Sequence, residues 1–341
     1  MDMIADPQDI ECRFQQWLGK LAGPPLILGH FDADGLSAVA ILARSIPGSE
    51  VRLVGKGETP WTPSVRAELE QRRPAAIIAT DLGVREGDIL PGTPTCLIDH
   101  HVPTGLPGDA LVLSGNGCEP EPTSALMAWW ACRSPEPLLW LAALGLIGDM
   151  AEDAGFPELA AAQARYGKTA LRNAVSLVNA PRRTASADAS PALALLMKCD
   201  SPKELLSGTH PETAQLHAAK EEVKAEMEVA RRVAPKVRGE VALIPLDSAC
   251  QIHPLIAQQW RTRLRDKVVI AANKAYRPGW VHFAARTGAG HDLIRFFAER
   301  RPDGADSEYG SGHKAASGGA LRIPEWNRFV ADLGFPEEQI A

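Results

Sequence analysis

Four short apolar segments within the first 150 residues each run into an acid or a histidine. Residues 26–28 lead into His30-Phe31-Asp32-Ala33-Asp34-Gly35, and residues 75–79 into Thr80-Asp81-Leu82-Gly83. Residues 95–98 lead into Asp99-His100-His101, and residues 144–147 into Gly148-Asp149-Met150. Helical patterns lie between the strand-like runs, as at residues 37–46, and residues 51–54 supply a further strand candidate. Strand and helix in alternation predict a parallel sheet with helices on both faces. In such an open α/β sheet, ligands bind outside the carboxyl ends of the strands. One acidic turn after a strand is ordinarily a solvated loop. Packing does not account for four at the same end, because carboxylates beside a core persist only when paired or bound to metal. Spacing by two places His30, Asp32 and Asp34 on one side of an extended segment, within reach of a single metal centre. Carboxylate plus imidazole is a donor set that Mn²⁺ and similar divalent ions accept.

The 341 residues predict two domains or one large one. A hydrophobic fraction of 45% with 23% charge excludes wholesale disorder and fibrous repeats. No apolar run is long enough for a membrane span. Asp2, Asp6, Asp9 and Glu11 stand where a secretory signal would be basic and then apolar, so a cytoplasmic location is expected. The six cysteines are scattered without a CxxC pair and read as reduced thiols, neither a disulfide framework nor a zinc site. A net charge of −6 argues against nonspecific coating of duplex DNA but allows a local phosphate-binding cleft.

Residues 123–132 and 137–147 are apolar enough for buried helices, with Trp129, Trp130 and Trp140 as core side chains. Residues 211–233 form a long, charged helical pattern that reads as a solvated helix joining two domains. A second domain is expected from Gly239, with strands at 241–244, 267–272 and 280–285 and a glycine-rich turn at 310–319. Between Arg261 and Arg301, ten lysines and arginines face three acids, a local excess that hints at a polyanion. Small residues in the turn let backbone N–H groups approach a phosphate, and His313 and Lys314 add charge there.

His-x-Asp-x-Asp-Gly at 30–35, Asp81, the Asp-His-His triplet at 99–101 and Asp149 resemble the four motifs of the DHH phosphoesterase superfamily. The Gly310–Gly318 stretch is similar to the glycine-rich His motif of the associated C-terminal domain. The resemblance covers roughly residues 25–325. It implies an α/β fold: a parallel-sheet metal-binding catalytic domain (1–208), a helical linker (209–238) and a smaller α/β substrate-binding domain (239–341), with the active site in the interdomain cleft. It implies two divalent ions, Mn²⁺ or else Mg²⁺, as cofactors. Carried over residue by residue, one ion is held by His30, Asp32 and Asp81, the other by Asp34, Asp81, His100 and Asp149, with Asp81 bridging. Two such cations about 3.5–4 Å apart generate a hydroxide and stabilise both oxygens of an in-line displacement. Asp99 would orient an imidazole, and His101 would face the scissile phosphate.

Finer features are similar to the RecJ-like single-strand exonucleases. Val178-Asn179-Ala180-Pro181-Arg182-Arg183 resembles that group's Asn-Ala-x-Gly-Arg element, and Ala284-Ala285-Arg286 its Ser-x-Arg. Asn179, Arg183, Arg286, Gly312, His313 and Lys314 are therefore the expected phosphate-binding residues; an arginine fork suits phosphate oxygens. Pro181-Arg182 departs from the usual small residue and Gly, and Gly310-Ser311-Gly312 from a run of three glycines. The sequence ends where full-length members continue into an oligonucleotide-binding barrel, so weak tracking of long strands is expected. The implied function is metal-dependent hydrolysis of single-stranded DNA or RNA to mononucleotides, with no membrane partner. The enzymatic alternative is hydrolysis of short oligoribonucleotides, linear or cyclic dinucleotides or phosphoadenosine phosphate. The non-enzymatic alternative is a replication-associated binding scaffold, against which the intact ligand set argues.

Overall fold

The computed structural model describes residues 6–288, 290–305 and 309–340. The chain divides into two compact units, residues 1–182 with 187–218, and residues 183–186 with 219–341.

The first unit opens with α1 (Pro7–Leu18), β1 (Leu26–Gly29), α2 (Ala33–Ser45), β2 (Glu50–Leu53), α3 (Pro63–Arg72) and β3 (Ile77–Thr80). β4 (Thr95–Asp99), β5 (Ala110–Ser114), α4 (Ser124–Ala131), α5 (Leu139–Gly148), α6 (Pro157–Tyr166) and α7 (Lys168–Val178) follow. α8 (Ser190–Lys198), α9 (Pro202–Leu206) and the start of α10 (Pro211–Ala230) close it. The five strands pair in the order β2-β1-β3-β4-β5, all parallel. β1, β3 and β4 are buried on both faces, as strands covered by helices must be. Ile27, Ile78, Cys96 and Ile98 join the large helical core with α2, α4 and α5. Leu26, Leu28, Ile77, Ala79 and Leu97 meet Val65 and Leu69 of α3 on the other face. Trp140 and Trp130 are buried in the large core, with Trp129 packed against it. β5, on the edge, went unread in the sequence because it is short and only half-buried over its first three residues.

The strand order reverses between β1 and β3, a topological switch point of the kind that binds ligands at strand carboxyl ends. Parallel register places those ends side by side: Gly29 opposite Thr80, and Thr80 opposite Ile98. The backbone N–H of His30 donates to Thr80 (3.3 Å) and that of Asp81 to Ile98 (3.1 Å), so the three motif ends emerge as neighbours.

The second unit contains the rest of α10, β6 (Lys236–Arg238), β7 (Val241–Leu246), α11 (His253–Arg261) and β8 (Val268–Arg277). β9 (Trp280–Thr287), α12 (Leu293–Ala298), β10 (Ser311–His313), β11 (Ala316–Arg322) and α13 (Ile323–Asp332) complete it. Its sheet runs β10-β11-β9-β8-β7-β6, antiparallel except for the β7–β8 pair that α11 crosses over. Phe283, Phe297, Tyr309, Trp326 and Phe329 fill one face. Val223, Met227 and Ala230 of α10 pack on the other with Ile244, Ile256 and Ala271. The sequence reading of α10 as solvated thus holds for its charged residues only: the apolar positions spaced by four and three form a stripe that this core takes up. No helix among the described residues is long and apolar enough to cross a membrane.

Candidate metal centre and phosphate-binding strands

His30 follows β1, and α2 begins directly after it. Asp32 is the N-cap of α2, its Oδ1 accepting the Gly35 N–H at 3.1 Å. Residues 30–34 are therefore not extended, and the helical turn splits the expected single set in two. Asp32 stays with His30, whose Nδ1 lies 3.1 Å from Asp32 Oδ1 and 3.3 Å from Asp81 Oδ2. Asp34, fully buried in the first turn of α2, faces the other way, toward His100 and Asp149. Its two oxygens accept the backbone N–H groups of Ser124 and Ala125, both at 2.9 Å, at the start of α4. A helix N-terminus is where an anion is held best.

His100 Nε2 lies 3.1 Å from Asp149 Oδ2, 3.5 Å from Asp81 Oδ1 and 3.9 Å from Asp34 Oδ2. Asp81 joins the two sets, Oδ2 turned to His30 and Oδ1 to His100. Its φ of 61° is left-handed, a conformation that non-glycine residues retain where surrounding structure enforces it, commonly at functional sites. Asp149 comes from the C-terminal end of a helix, α5, rather than from a strand. The fourth apolar segment thus ends the buried helix expected over residues 137–147 and is not a strand end like the other three.

Close packing builds the cradle. A Cβ on Gly35 would meet His30 Cβ at 2.6 Å, and one on Gly145 would meet Asp34 Oδ1 at 2.2 Å and Ala125 Cβ at 2.6 Å. Asp99, buried at the end of β4, accepts the Gly83 N–H at 2.7 Å and the His101 N–H at 2.8 Å. Its Oδ1 is also 3.0 Å from His101 Nδ1, leaving the other ring nitrogen of that half-exposed imidazole free of this contact.

The electrostatics call for cations. Burial, then Asp149 and Asp81, raises the Asp34 carboxyl well above the usual carboxylate range. Burial raises Asp149 also, with the neighbouring aspartates adding to it. Burial opposes charge on His30, but Asp32 and Asp81 outweigh it and push its pKa up to about 10. For His100, burial is likewise outweighed, by Asp149 and Asp81, and the value is pushed up to about 12. Despite burial, His30 and Arg182 hold Asp32 well below the carboxylate range, and the Asp99 hydrogen bond raises His101 to about 9. The imidazoles supply the positive charge that the carboxylates require. A divalent ion fits the same demand: His100 Nε2 is buried and makes no well-formed hydrogen bond, though three carboxylates surround it. Nitrogen and carboxylate oxygens converge on shared points, within 4.8 Å of one another in each of the sets His30-Asp32-Asp81 and Asp34-His100-Asp149. These sets match the donor chemistry of Mn²⁺ and Mg²⁺.

Asn179 sits at the end of α7, its Oδ1 accepting the Ala33 N–H at 2.9 Å, so that oxygen positions the start of α2. Of the two adjacent arginines, Arg182 reaches the site, 3.5 Å from Asp32 Oδ2. Arg183 belongs to the second unit, where its carbonyl accepts the Gln251 N–H at 2.8 Å. The sequence reading also passed over Ser124, whose hydroxyl donates to Asp81 Oδ1 at 3.2 Å, and Glu121, 3.4 Å from His100 Nδ1. Both lie just before or at the start of α4, a segment that carries no motif; the Thr123 N-cap was its legible signal.

In the second unit the glycine-rich stretch is a hairpin of β10 and β11 rather than a loop, with Lys314 and Ala315 as its turn. Gly312 has a φ of 124°, and a Cβ there would lie 2.5 Å from the Ala316 carbonyl oxygen. His313 pairs with Ala316, and Ala316 with Arg286. Directly opposed residues share a sheet face, so His313 and Arg286 stand in one cross-strand row, two spacings or about 9–10 Å apart. Arg286 is fixed by its Nη1, which donates to the carbonyls of Ala285 (2.8 Å) and Ser317 (3.4 Å).

No protein-family model and no curated protein sequence matches the chain. Solved structures do. An exonuclease RecJ bound to manganese superposes with a TM-score of 0.63 at 19% identity, over 98% of this chain and 97% of that one. RecJ from Thermus thermophilus in complex with Mn²⁺ gives 0.64 at 21% identity, over 96% of this chain, which spans 54% of its length. A pGpG-specific phosphodiesterase from Vibrio cholerae gives 0.51 at 15% identity, over 91% of this chain and 97% of that one. The chain shares its fold with these structures. In this fold His30, Asp81 and Asp99-His100-His101 stand at the carboxyl ends of β1, β3 and β4, with Asp34 from α2 and Asp149 from the end of α5 beside them.

Proposed function

We propose that the chain is a metal-dependent phosphodiesterase that hydrolyses single-stranded nucleic acid to mononucleotides. The observation that carries the reading is Asp81, one carboxylate oxygen turned to each of two nitrogen–carboxylate sets on a fold shared with RecJ. His30, Asp32 and Asp81 would hold one divalent ion, and Asp34, Asp81, His100 and Asp149 the other. Bound Mn²⁺ or Mg²⁺ supplies Lewis acidity for attack of water at phosphorus. Asp99 fixes the His101 ring through Nδ1, and His101 offers its remaining nitrogen to a phosphate oxygen. Arg182 braces Asp32 from the side, while Gly35 and Gly145 let α2 and α5 pack closely against His30 and Asp34. Arg286 and His313, in one cross-strand row, with Gly312 and Lys314 beside them, bind neighbouring phosphates of the strand, and Arg183 adds a further cation.

The likeness to a pGpG-specific phosphodiesterase favours a second reading, hydrolysis of dinucleotides and short oligonucleotides. End-labelled DNA and RNA of graded length, digested with Mn²⁺, separate the two. A descending ladder from strands of about 30 nucleotides, with mononucleotide product, supports the exonuclease reading. Turnover confined to two or three nucleotides supports the second. Absence of Mn²⁺-dependent hydrolysis of any of these refutes both.

A further inference from the structure

Away from the aspartate–histidine centre, the end of α8, all of α9 and the turn before α10 bring Cys199, Glu204 and His210 together. One donor atom from each lies within 4.8 Å of the others. We propose that these three side chains form a separate zinc-type site that clips the α8–α10 segment. The sequence reading set zinc aside for want of a CxxC pair; the fold assembles thiol, carboxylate and imidazole from different spacings instead.

The geometry is close to what a tetrahedral ion needs. Two ligands at about 2.0–2.1 Å from Zn²⁺ stand about 3.3 Å apart along a tetrahedral edge, and Glu204 Oε1 is 3.2 Å from His210 Nε2. Each ligand is set by its surroundings. The Cys199 carbonyl accepts from Arg44 Nη1 at 2.7 Å, and Arg44 is also paired with Asp200 at 2.8 Å. Glu204 Oε2 accepts the Asp200 N–H at 2.8 Å, leaving Oε1 toward His210. The Thr213 N–H donates to the His210 carbonyl at 3.1 Å, and its hydroxyl to that of Leu205 at 3.1 Å, which ties the turn to α9. Such outer hydrogen bonds orient metal ligands. Cys199 is buried while Glu204 and His210 are partly exposed, so the set opens to solvent through the latter two.

Donor softness selects the ion. Thiolate with imidazole favours Zn²⁺ or Co²⁺ over Mn²⁺ and Mg²⁺, so the two centres of this chain would sort metals between them. Burial and nearby carboxylates push the thiol up to about 11, so it is protonated at neutral pH without metal. Coordination breaks the S–H bond, forms the S–metal bond and releases one proton to solvent.

The test is titration of the full-length protein with Co²⁺ in excess Mn²⁺. A thiolate-to-cobalt charge-transfer band, which a site of nitrogen and oxygen ligands cannot produce, should saturate at one equivalent and vanish when Zn²⁺ is added. Cys199→Ser should abolish the band, and His210→Ala, at a partly exposed position, should weaken Co²⁺ binding at least about tenfold, losing one of three ligands. Both variants should keep Mn²⁺-dependent hydrolysis. No band, a band that survives in Cys199→Ser, or unchanged affinity in His210→Ala overturns the proposal.

Discussion

Gly145→Ala puts the packing account of the metal centre at risk, because general helix chemistry predicts the opposite sign. Within a helix, alanine is favoured over glycine by about 0.8–1 kcal/mol. Here the new Cβ would sit 2.2 Å from Asp34 Oδ1 and 2.6 Å from Ala125 Cβ. Asp34 cannot swing aside freely, since the Ser124 and Ala125 amides hold both its oxygens at 2.9 Å. Overpacking costs about 1–3 kcal/mol, and leaving one buried α4 amide unsatisfied about 1–3 kcal/mol. After the propensity gain is deducted, a net loss of about 1–5 kcal/mol is expected. A displacement of about 1 Å in a ligand costs roughly 100-fold in rate, so hydrolysis should fall alongside stability. Urea denaturation of the metal-free protein and Mn²⁺-dependent turnover on a single-stranded oligonucleotide measure the two. Gly148→Ala is the control. Its Cβ would stop 3.0 Å from the Ala33 methyl, touching no ligand oxygen, so it should cost less on both counts. A Gly145→Ala protein as stable and as active as the parent would refute the reading of α5 as the wall behind Asp34.

Other substitutions separate the roles. Asp81→Ala should remove hydrolysis and most Mn²⁺ binding, measured by isothermal titration, while circular dichroism shows the fold retained; near-normal turnover would exclude a bridging carboxylate. Asp99→Ala leaves every proposed metal ligand in place but frees Gly83 and the His101 ring. It should lower kcat by about 10²–10⁴-fold with Mn²⁺ affinity changed far less. Gly312→Ala should disrupt the β10–β11 hairpin and weaken nucleic-acid binding at unchanged metal affinity, as read by fluorescence anisotropy. Each phosphate neutralised on a single strand contributes a salt slope of about −0.7. With Arg183, Arg286, His313 and Lys314 as contacts, the slope of binding against salt should lie near −2 to −3, roughly four such contributions at most, and a much steeper one would reveal cationic contacts elsewhere.

What the sequence disclosed, it disclosed through strand ends. His30, Asp81 and Asp99 were legible because each follows a short apolar run, and parallel register converts that linear coincidence into adjacency. Spacing alone did not disclose the partition of the site, which only the family resemblance implied. An alternating His-x-Asp-x-Asp string looks extended, and the helix starting at Ala33 is the physical reason that Asp32 and Asp34 turn toward different sets. Arg182 and Arg183 illustrate a different limit: neighbours in sequence, they fall into different compact units, and no local pattern reports that division. Gly145 and Ser124 escaped notice because their contribution is steric fit and a hydroxyl placed across 43 residues from Asp81. Cys199 and His210, each uninformative alone, acquire meaning only when α9 folds them onto Glu204.

Of the three carboxylates around His100, Asp34 and Asp149 are not equivalent, and backbone direction makes the difference. Asp34 faces the N-terminus of α4 and accepts two of its amides, so both its oxygens have hydrogen-bond partners whether or not a metal is bound. Asp149 caps the C-terminus of α5, where unpaired carbonyls disfavour negative charge, and it meets His100 at 3.1 Å. Both carboxyls are raised where no metal is bound, so what separates them in the metal-free protein is the hydrogen bonding that each helix end offers. A divalent ion between them would gain a preformed ligand from one helix and neutralise an electrostatic liability at the end of another. Asp149→Asn should consequently destabilise the metal-free protein less than Asp34→Asn, which turns one of two acceptor oxygens into a donor facing an α4 amide N–H. If instead Asp149→Asn proves the more damaging of the two in metal-free denaturation, helix direction is not what distinguishes these ligands.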